Sequence, residues 1–203
     1  MRYILASGSP RRREILSEQG ITFTVVKPDI EEVRRADEAP LDYIARLSRE
    51  KAQAVAARIG ASVGETTLII SADTTVIPEV DAFDILEKPL DAADARAMLA
   101  RLRGRDHLVA TALTVLKIDV GIEHSALITR VTTATVTMRD YTDAHIDAYI
   151  ATREPFDKAG GYAIQDTTGF NPVAHYTGSY TAIMGLPVET FSAMLDEIAV
   201  IDS

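Results

Sequence analysis

Short apolar runs alternate with longer segments whose apolar residues recur at helical spacing, and this alternation predicts an α/β fold. The strongest strand signal is residues 68–72, where the sequence LIISA is almost uniformly apolar. The clearest helix is residues 41–59, which places Ile44, Leu47, Ala54 and Val55 on one stripe. Further strands are predicted at residues 3–7, 23–26, 107–116 and 127–138, and further helices at residues 10–19, 142–152 and 187–197 and between Asp91 and Gly104.

The two strand segments in the middle of the chain, residues 107–116 and 127–138, are rich in Thr and Val, which favour strands. They have the pattern of an antiparallel pair, so we expect a twisted mixed sheet flanked by helices. Residues 160–180 are rich in Gly and Thr and are expected to contain short strands. The 203 residues include no repeat or obvious linker, so residues 1–203 are predicted to form a single domain.

The composition excludes several classes of function. The chain has no cysteine, which excludes disulfides, zinc–thiolate sites and a cysteine nucleophile. Its formal net charge of −9 argues against a nucleic-acid partner, although a locally basic pocket for a small anion is compatible with it. No segment has the length of a membrane span or the pattern of an export signal, so a cytoplasmic protein without a membrane partner is expected.

Three consecutive arginines follow the first predicted strand, in the segment ASGSPRRREIL. Ser9 and the proline after it are suited to begin a helix. Cations are disfavoured there because that end of a helix is already positive. Arg11, Arg12 and Arg13 are therefore either solvated on the surface or part of an anion site. In such a site they would join free backbone N–H groups and the hydroxyls of Ser7 and Ser9 on phosphate oxygens.

Lys51 and Asp73 stand out by position. Lys51 falls on the apolar stripe of its helix, where it either extends out of the edge of the core or directs its ammonium group at a bound anion. Asp73 directly follows the strand of residues 68–72, and ligands of α/β sheets bind at the carboxyl ends of strands. It is either a metal ligand or base, or a turn residue before two threonines.

Other polar residues carry weaker signals. The chain has no GxxxxGK[ST] or GxGxxG phosphate loop and no GxSxG serine motif, and its histidines lack the spacing of metal ligands. The remaining candidates are isolated polar side chains, each of which is either functional or simply solvated: Glu31, Glu32, Lys88, Asp157, Lys158 and Gln165.

These segments together resemble the Maf family. The opening LASGSPRRREIL is similar to the N-terminal signature of that family, and the blocks DIEE, LSREKAQAVA, SADTTV, DKAGGYAIQ and IMGLP follow in the family's order. Two positions depart from the family pattern, with Glu87 and Asp166 where glycine is usual. The resemblance implies an elongated fold like that of inosine triphosphate pyrophosphatases, with two lobes and a central cleft.

The resemblance also implies an activity and a site. The activity is hydrolysis of nucleoside triphosphates to monophosphate and pyrophosphate, assisted by Mg²⁺, Mn²⁺ or Co²⁺, with dTTP and UTP as preferred substrates and a homodimer as a possible assembly. Asp73, Lys51 and Glu31 are the implied catalytic residues, of which Glu31 and Asp73 are the metal ligands. The implied substrate-binding residues are Ser7, Arg11, Arg12, Lys88, Asp157, Lys158 and Gln165.

Other functions remain open at this point. Pyrophosphatases for 7-methyl-GTP or for ITP and XTP would use a similar constellation of cations and carboxylates. A nucleotide-binding regulator of septum formation without turnover would need only the cations. Pyrophosphate release from a panel of nucleotides separates these functions.

Overall fold

The computed structural model describes residues 1–60, 64–79, 83–121, 126–165 and 167–201. Asp166, one of the two departures from the family pattern, lies outside these residues. The strands are β1 Arg2–Leu5, β2 Phe23–Val25, β3 Thr67–Ile77, β4 Asp106–Ile118, β5 Ala126–Met138 and β6 Val173–Thr177. The helices are α1 Pro10–Glu18, α2 Pro40–Ile59, α3 Ala92–Leu102, α4 Asp143–Ala151, α5 Tyr180–Ile183 and α6 Val188–Ile201, with 3₁₀ helices at Glu154–Asp157 and Ala159–Gly161.

Within the described residues, the strands form one six-stranded sheet in the order β2-β1-β3-β4-β5-β6. β1 is parallel to both β2 and β3, whereas β5 and β6 are antiparallel. The Thr-rich strands β4 and β5 are neighbours in the sheet, as their pattern predicts. The prediction of an α/β fold with a mixed sheet is therefore confirmed.

The chain divides into two compact units. Unit 1 consists of Met1–Asp73, Thr111–Thr132 and Gly185–Ser203, and unit 2 consists of Thr74–Ala110 and Thr133–Met184. No helix in the described part of the chain is both long and apolar enough to cross a membrane.

The core of unit 1 forms where α2 packs on the sheet. The predicted stripe of α2 is buried at Ile44, Leu47 and Val55, and the last of these packs with Ile4 of β1 and Ile69 of β3. Burying such a side chain contributes roughly 1.5–3 kcal/mol, so this face fixes the rotation of α2 about its axis. Any polar residue on the same stripe is consequently directed at the sheet.

The core of unit 2 is built on α3 and α4. Leu99 and Leu102 of α3 pack with Ile146 and Tyr149 of α4 in one buried cluster. Asp91 caps α3 as predicted, since its side chain accepts a hydrogen bond from Asp94 N at 2.8 Å.

The structure corrects several predicted boundaries, and the most consequential concerns β3. That strand continues to Ile77, so Asp73 lies inside it rather than after it. The residues that follow Asp73 are Thr, Thr, Val and Ile, which are all β-branched and suit a strand. A charged residue therefore does not end this strand. β1 ends at Leu5, two residues earlier than predicted, and α6 extends to Ile201 rather than to residue 197.

Candidate active site

The centre of the candidate site is an ion pair between Lys51 of α2 and Asp73 of β3. Lys51 Nζ lies 2.6 Å from Asp73 Oδ1. Lys51 is 6% exposed and Asp73 is 8% exposed, so neither charge is solvated in the ordinary way. Isolated buried charges are costly, whereas a hydrogen-bonded pair of opposite charges offsets much of that cost. The pair thus explains how α2 accommodates a lysine on its apolar stripe.

Burial raises the pKa of the Asp73 carboxyl group above its ordinary value. The charge and hydrogen bond of Lys51 and the charge of Arg12 oppose this shift, but burial has the larger effect. A carboxylate whose affinity for protons is raised in this way is suited to accept a proton from water.

A second carboxylate reaches the same ammonium group. Glu32 Oε1 lies 3.0 Å from Lys51 Nζ, and the Glu32 side chain is 50% exposed. Glu31, the residue implied by the family resemblance, is exposed beside it. Nothing in the segment DIEE distinguishes the two glutamates, because both lie in a loop without periodicity. The choice of Glu32 follows only from how the loop meets α2.

The arginine turn lies at the start of α1. Ser9 occupies the N-cap position, but its side chain accepts no capping hydrogen bond. The hydroxyl of Ser7 accepts instead from Ser9 N at 3.2 Å and from Arg12 Nη1 at 3.2 Å. Arg12 Nε also donates to the carbonyl oxygen of Gly185 at 2.8 Å. Arg12 is therefore held in place by neighbouring groups and is not a freely solvated arginine.

Arg12 is electrostatically coupled to the carboxylates. Burial lowers the pKa of its guanidinium group, and the charges of Asp73 and Glu32 oppose that change. Arg11 lowers the pKa further as a neighbouring cation. Unit 1 thus brings Arg12 within the range of the charges of Asp73 and Glu32, which both bind Lys51, and Ser7 and Arg11 adjoin Arg12.

In unit 2, the segment that contains Lys158 lies against the segment that contains Lys88. Gly160 N donates to the carbonyl oxygens of Leu86 at 3.2 Å and Glu87 at 3.0 Å. These bonds join the chain just after Lys158 to the chain just before Lys88. The turn requires glycine, because Gly160 has a φ of 68° and a Cβ atom there would lie 3.0 Å from the Val76 side chain.

The side chains of unit 2 differ in their surroundings. Lys158 is 7% exposed, and its Nζ lies 2.6 Å from Asp157 Oδ1 and 2.8 Å from Glu154 Oε2. Lys88 and Gln165 are exposed. His107, which carries no sequence signal, is fully buried, and its Nε2 atom lies 2.7 Å from the hydroxyl of Tyr162, five residues after Asp157.

The sheet and this site define a class of protein, an α/β protein with clustered cations and a buried carboxylate. Clustered cations are suited to bind a polyphosphate, and a buried carboxylate is suited to promote attack on it. The chain belongs to the Maf family, since residues 2–198 match the family described as Maf-like protein.

Two bacterial proteins are similar to this chain over nearly its whole length. The chain is 43% identical over 185 residues to a dTTP/UTP pyrophosphatase of Vibrio cholerae, covering 91% of each chain. It is 40% identical over 206 residues to a dTTP/UTP pyrophosphatase of Shewanella oneidensis, covering 99% of this chain and 100% of that one. A solved nucleoside-triphosphatase / dITP/XTP pyrophosphatase from Mycobacterium abscessus is 15% identical with a TM-score of 0.40, a likeness too weak to bear on function.

Proposed function

We propose that this protein is a nucleoside triphosphate pyrophosphatase that converts dTTP and UTP to the nucleoside monophosphate and pyrophosphate. The observation that carries the proposal is the buried Lys51–Asp73 pair beside the arginine turn. The names of the relatives, which are similar over 91% or more of this chain, support the substrates. Pyrophosphatases for 7-methyl-GTP or for ITP and XTP are the alternatives that a substrate panel tests.

The chemical step needs an activated water molecule at the α-phosphorus. Asp73 accepts a proton from that water, and the water oxygen forms a bond to the α-phosphorus. The bond between the α-phosphorus and the oxygen bridging to the β-phosphorus breaks, and pyrophosphate leaves with that oxygen. The raised pKa of Asp73 favours its role as base, and the 2.6 Å bond from Lys51 to Oδ1 orients the carboxylate.

Phosphate charge is offset by cations of the arginine turn. Arg12 and Ser7 are hydrogen-bonded to each other, so their donors are already oriented before substrate binds. Arg11 supplies a second guanidinium group from the same turn. Four residues of unit 2 stay predictions as substrate-binding residues: Lys88, Asp157, Lys158 and Gln165.

A divalent cation such as Mg²⁺, Mn²⁺ or Co²⁺ is part of the proposal. Hard cations bind oxygen ligands, and Asp73 and Glu32 present carboxylates that both reach Lys51 Nζ. We therefore propose Asp73 and Glu32 as the residues that hold the metal, with Glu32 in the role that the resemblance implies for Glu31. When bound, the cation would neutralise charge on the triphosphate and on the departing pyrophosphate.

We further propose a domain organisation, a location and an assembly for the whole molecule. We treat residues 1–203 as one domain with two lobes, because a single family match runs through both units. We expect the enzyme to act in the cytoplasm, where nucleoside triphosphates are made and consumed. A homodimer stays a prediction.

The test of the proposal is a substrate panel. The purified protein is incubated with dTTP, UTP, the ordinary purine triphosphates, ITP and 7-methyl-GTP, with each of the three cations, and both products are quantified. We expect equal amounts of pyrophosphate and monophosphate and the highest kcat/KM for dTTP and UTP. Release of orthophosphate would place the cleavage at a different bond, and binding without turnover would favour the regulator.

A matched pair of variants tests the choice of glutamate. Glu31→Gln and Glu32→Gln make the same change at adjacent positions of one loop. Glu32→Gln is expected to lower kcat and to raise the metal concentration needed for half-maximal activity, whereas Glu31→Gln leaves both near their original values. The reverse pattern would restore the role to Glu31.

A further inference from the structure

Arg46 of α2 has all five of its N–H donors engaged. Its Nε and Nη2 atoms donate to the two carboxylate oxygens of Glu38 at 2.6 and 2.7 Å. Its Nη1 donates to both carboxylate oxygens of Glu50, at 3.2 and 3.0 Å, and Nη2 also donates to the carbonyl oxygen of Val33 at 3.0 Å. The Arg46 side chain is only 13% exposed, unlike an ordinary surface arginine.

These partners lie mainly in the loop that precedes α2. Glu38 and Val33 belong to residues 31–38, so Arg46 holds that loop against the helix at two points. The loop is also closed on itself, because Arg34 donates to the carbonyl oxygen of Glu38 from Nε at 2.9 Å and from Nη2 at 2.6 Å. The hydrogen bond from Arg46 lowers the pKa of Glu38 to about 2, so Glu38 is ionised at neutral pH.

The loop carries Glu32 to the ion pair at the candidate active site. Glu32 precedes Val33 directly, and its own carbonyl oxygen accepts a hydrogen bond from the Tyr43 hydroxyl at 3.3 Å. The Tyr43 ring in turn lies 5.5 Å from the Arg46 guanidinium carbon. Tyr43 and Arg46 therefore hold two consecutive carbonyl groups, those of Glu32 and Val33, and Lys51 of the same helix binds the Glu32 side chain.

We propose that Arg46 is a positioning residue, which fixes residues 31–38 on α2 so that the Glu32 carboxylate meets Lys51 and Asp73. This inference rests on the proposed role of Glu32 in pyrophosphate release. A planar bidentate guanidinium group is required, because the point charge of a lysine cannot serve Glu38, Glu50 and Val33 together. Arg46 lies outside the group that contacts substrate and acts only through the loop.

The experiment is a double-mutant cycle between Arg46→Met and Glu32→Gln, with dTTP as substrate. Displacing a catalytic group by about 1 Å costs up to roughly 10²-fold, so we expect Arg46→Met to lower kcat by about tenfold with KM within about twofold. In the Glu32→Gln background, Arg46→Met is expected to have less than about a twofold further effect, because the two changes remove the same interaction. Arg49→Met on the same helix removes the same charge without these contacts, and it is expected to leave kcat within about twofold.

A readout independent of activity is tryptic cleavage in the loop. Arg34 and Arg35 are cleavage sites within residues 31–38, so peptide mapping reports whether the loop is held. Cleavage there should be faster in Arg46→Met than in the unmodified protein or in Arg49→Met. If Arg46→Met fails to fold, Glu38→Gln is used in its place, because it removes the bidentate partner of Arg46. Combined with Glu32→Gln, it is expected to show the same small further effect on kcat.

The outcomes separate the two proposals. If Glu32→Gln lowers kcat but Arg46→Met does not, or if their effects multiply independently, the positioning role is wrong and the role of Glu32 stands. If Glu32→Gln leaves kcat unchanged, the role of Glu32 is wrong and the positioning role falls with it. Faster loop cleavage together with a saturated double-mutant cycle supports the inference.

Discussion

Lys51 and Asp73 lie 22 positions apart in the chain and meet through a 2.6 Å bond between Nζ and Oδ1. Each side chain supplies the charge that makes burial of the other tolerable. Removing either partner therefore has both a chemical and a structural consequence, and variants must separate the two.

Asp73→Asn should abolish most turnover although the protein still folds, because Glu32 remains as a carboxylate partner 3.0 Å from Lys51 Nζ. The amide keeps the shape of the carboxylate but cannot accept a proton from water, so kcat is expected to fall by roughly 10²-fold or more. Binding of a nonhydrolysable α,β-methylene nucleotide, measured by calorimetry, should survive. A kcat near that of the unmodified protein would exclude Asp73 as the base.

Lys51→Met should destabilise the protein, because it leaves Asp73 buried without its cation. Breaking a buried pair on one side lowers the free energy of unfolding by roughly 3 kcal/mol or more. The double variant Lys51→Met/Asp73→Asn should recover most of that stability in urea unfolding, yet remain inactive. If the single variant Lys51→Met loses stability but keeps the kcat of the unmodified protein per folded molecule, the lysine is only structural.

Arg12→Lys should lower kcat/KM although the charge is conserved. One ammonium group cannot reproduce the geometry that bonds Ser7 and Gly185, and a charge-assisted hydrogen bond contributes about 1.5–3 kcal/mol, so a loss of about tenfold or more is expected. The control is Arg13→Lys, since Arg13 is exposed in the same turn. Equal kcat/KM for both variants would indicate that Arg12 does not bind phosphate.

Gly160→Ala should destabilise the protein more than Gly20→Ala. Both glycines have similar positive φ values, 68° and 72°, so alanine is strained at each by about 1–2 kcal/mol. Only at Gly160 does the added Cβ meet a neighbour, the Val76 side chain at 3.0 Å, whereas at Gly20 nothing lies within 4 Å. The difference between the two variants in the free energy of unfolding, measured in urea, gives the cost of the steric contact. Val76→Ala should restore part of the stability that Gly160→Ala loses. Equal destabilisation would mean that the turn can move.

His107 should make the protein less stable in mild acid. Burial lowers its pKa from 6.5 to about 4, so the unfolded chain binds a proton in this range while the folded protein does not. The free energy of unfolding should therefore fall as the pH decreases from about 6.5 to about 4, by about 3 kcal/mol from this residue, since one pKa unit corresponds to about 1.4 kcal/mol. His107→Phe should flatten the profile over that window, whereas His175→Phe, at an exposed position, should not. A profile unchanged by His107→Phe would contradict the assignment.

The sequence alone determined the features that depend on neighbours along the chain. Apolar spacing in α2 predicted both the helix and the presence of Lys51 on its buried face, and Asp91 marked the start of α3. The order of the motif blocks indicated the family. The helix and cap signals are local, because helical periodicity and capping involve residues within a few positions of one another. The order of the blocks is read along the chain and needs no knowledge of which segments pack together.

Only the tertiary structure decided which side chains meet. It placed the Lys51 ammonium group on Asp73 within β3, where it compensates the buried charge. It brought Glu32 rather than Glu31 to Lys51, through the contacts of Arg46 with a loop that has no periodic pattern. Such pairings depend on how separate segments pack, and no spacing within one segment encodes the distance between a loop carboxylate and an ammonium group on the following helix.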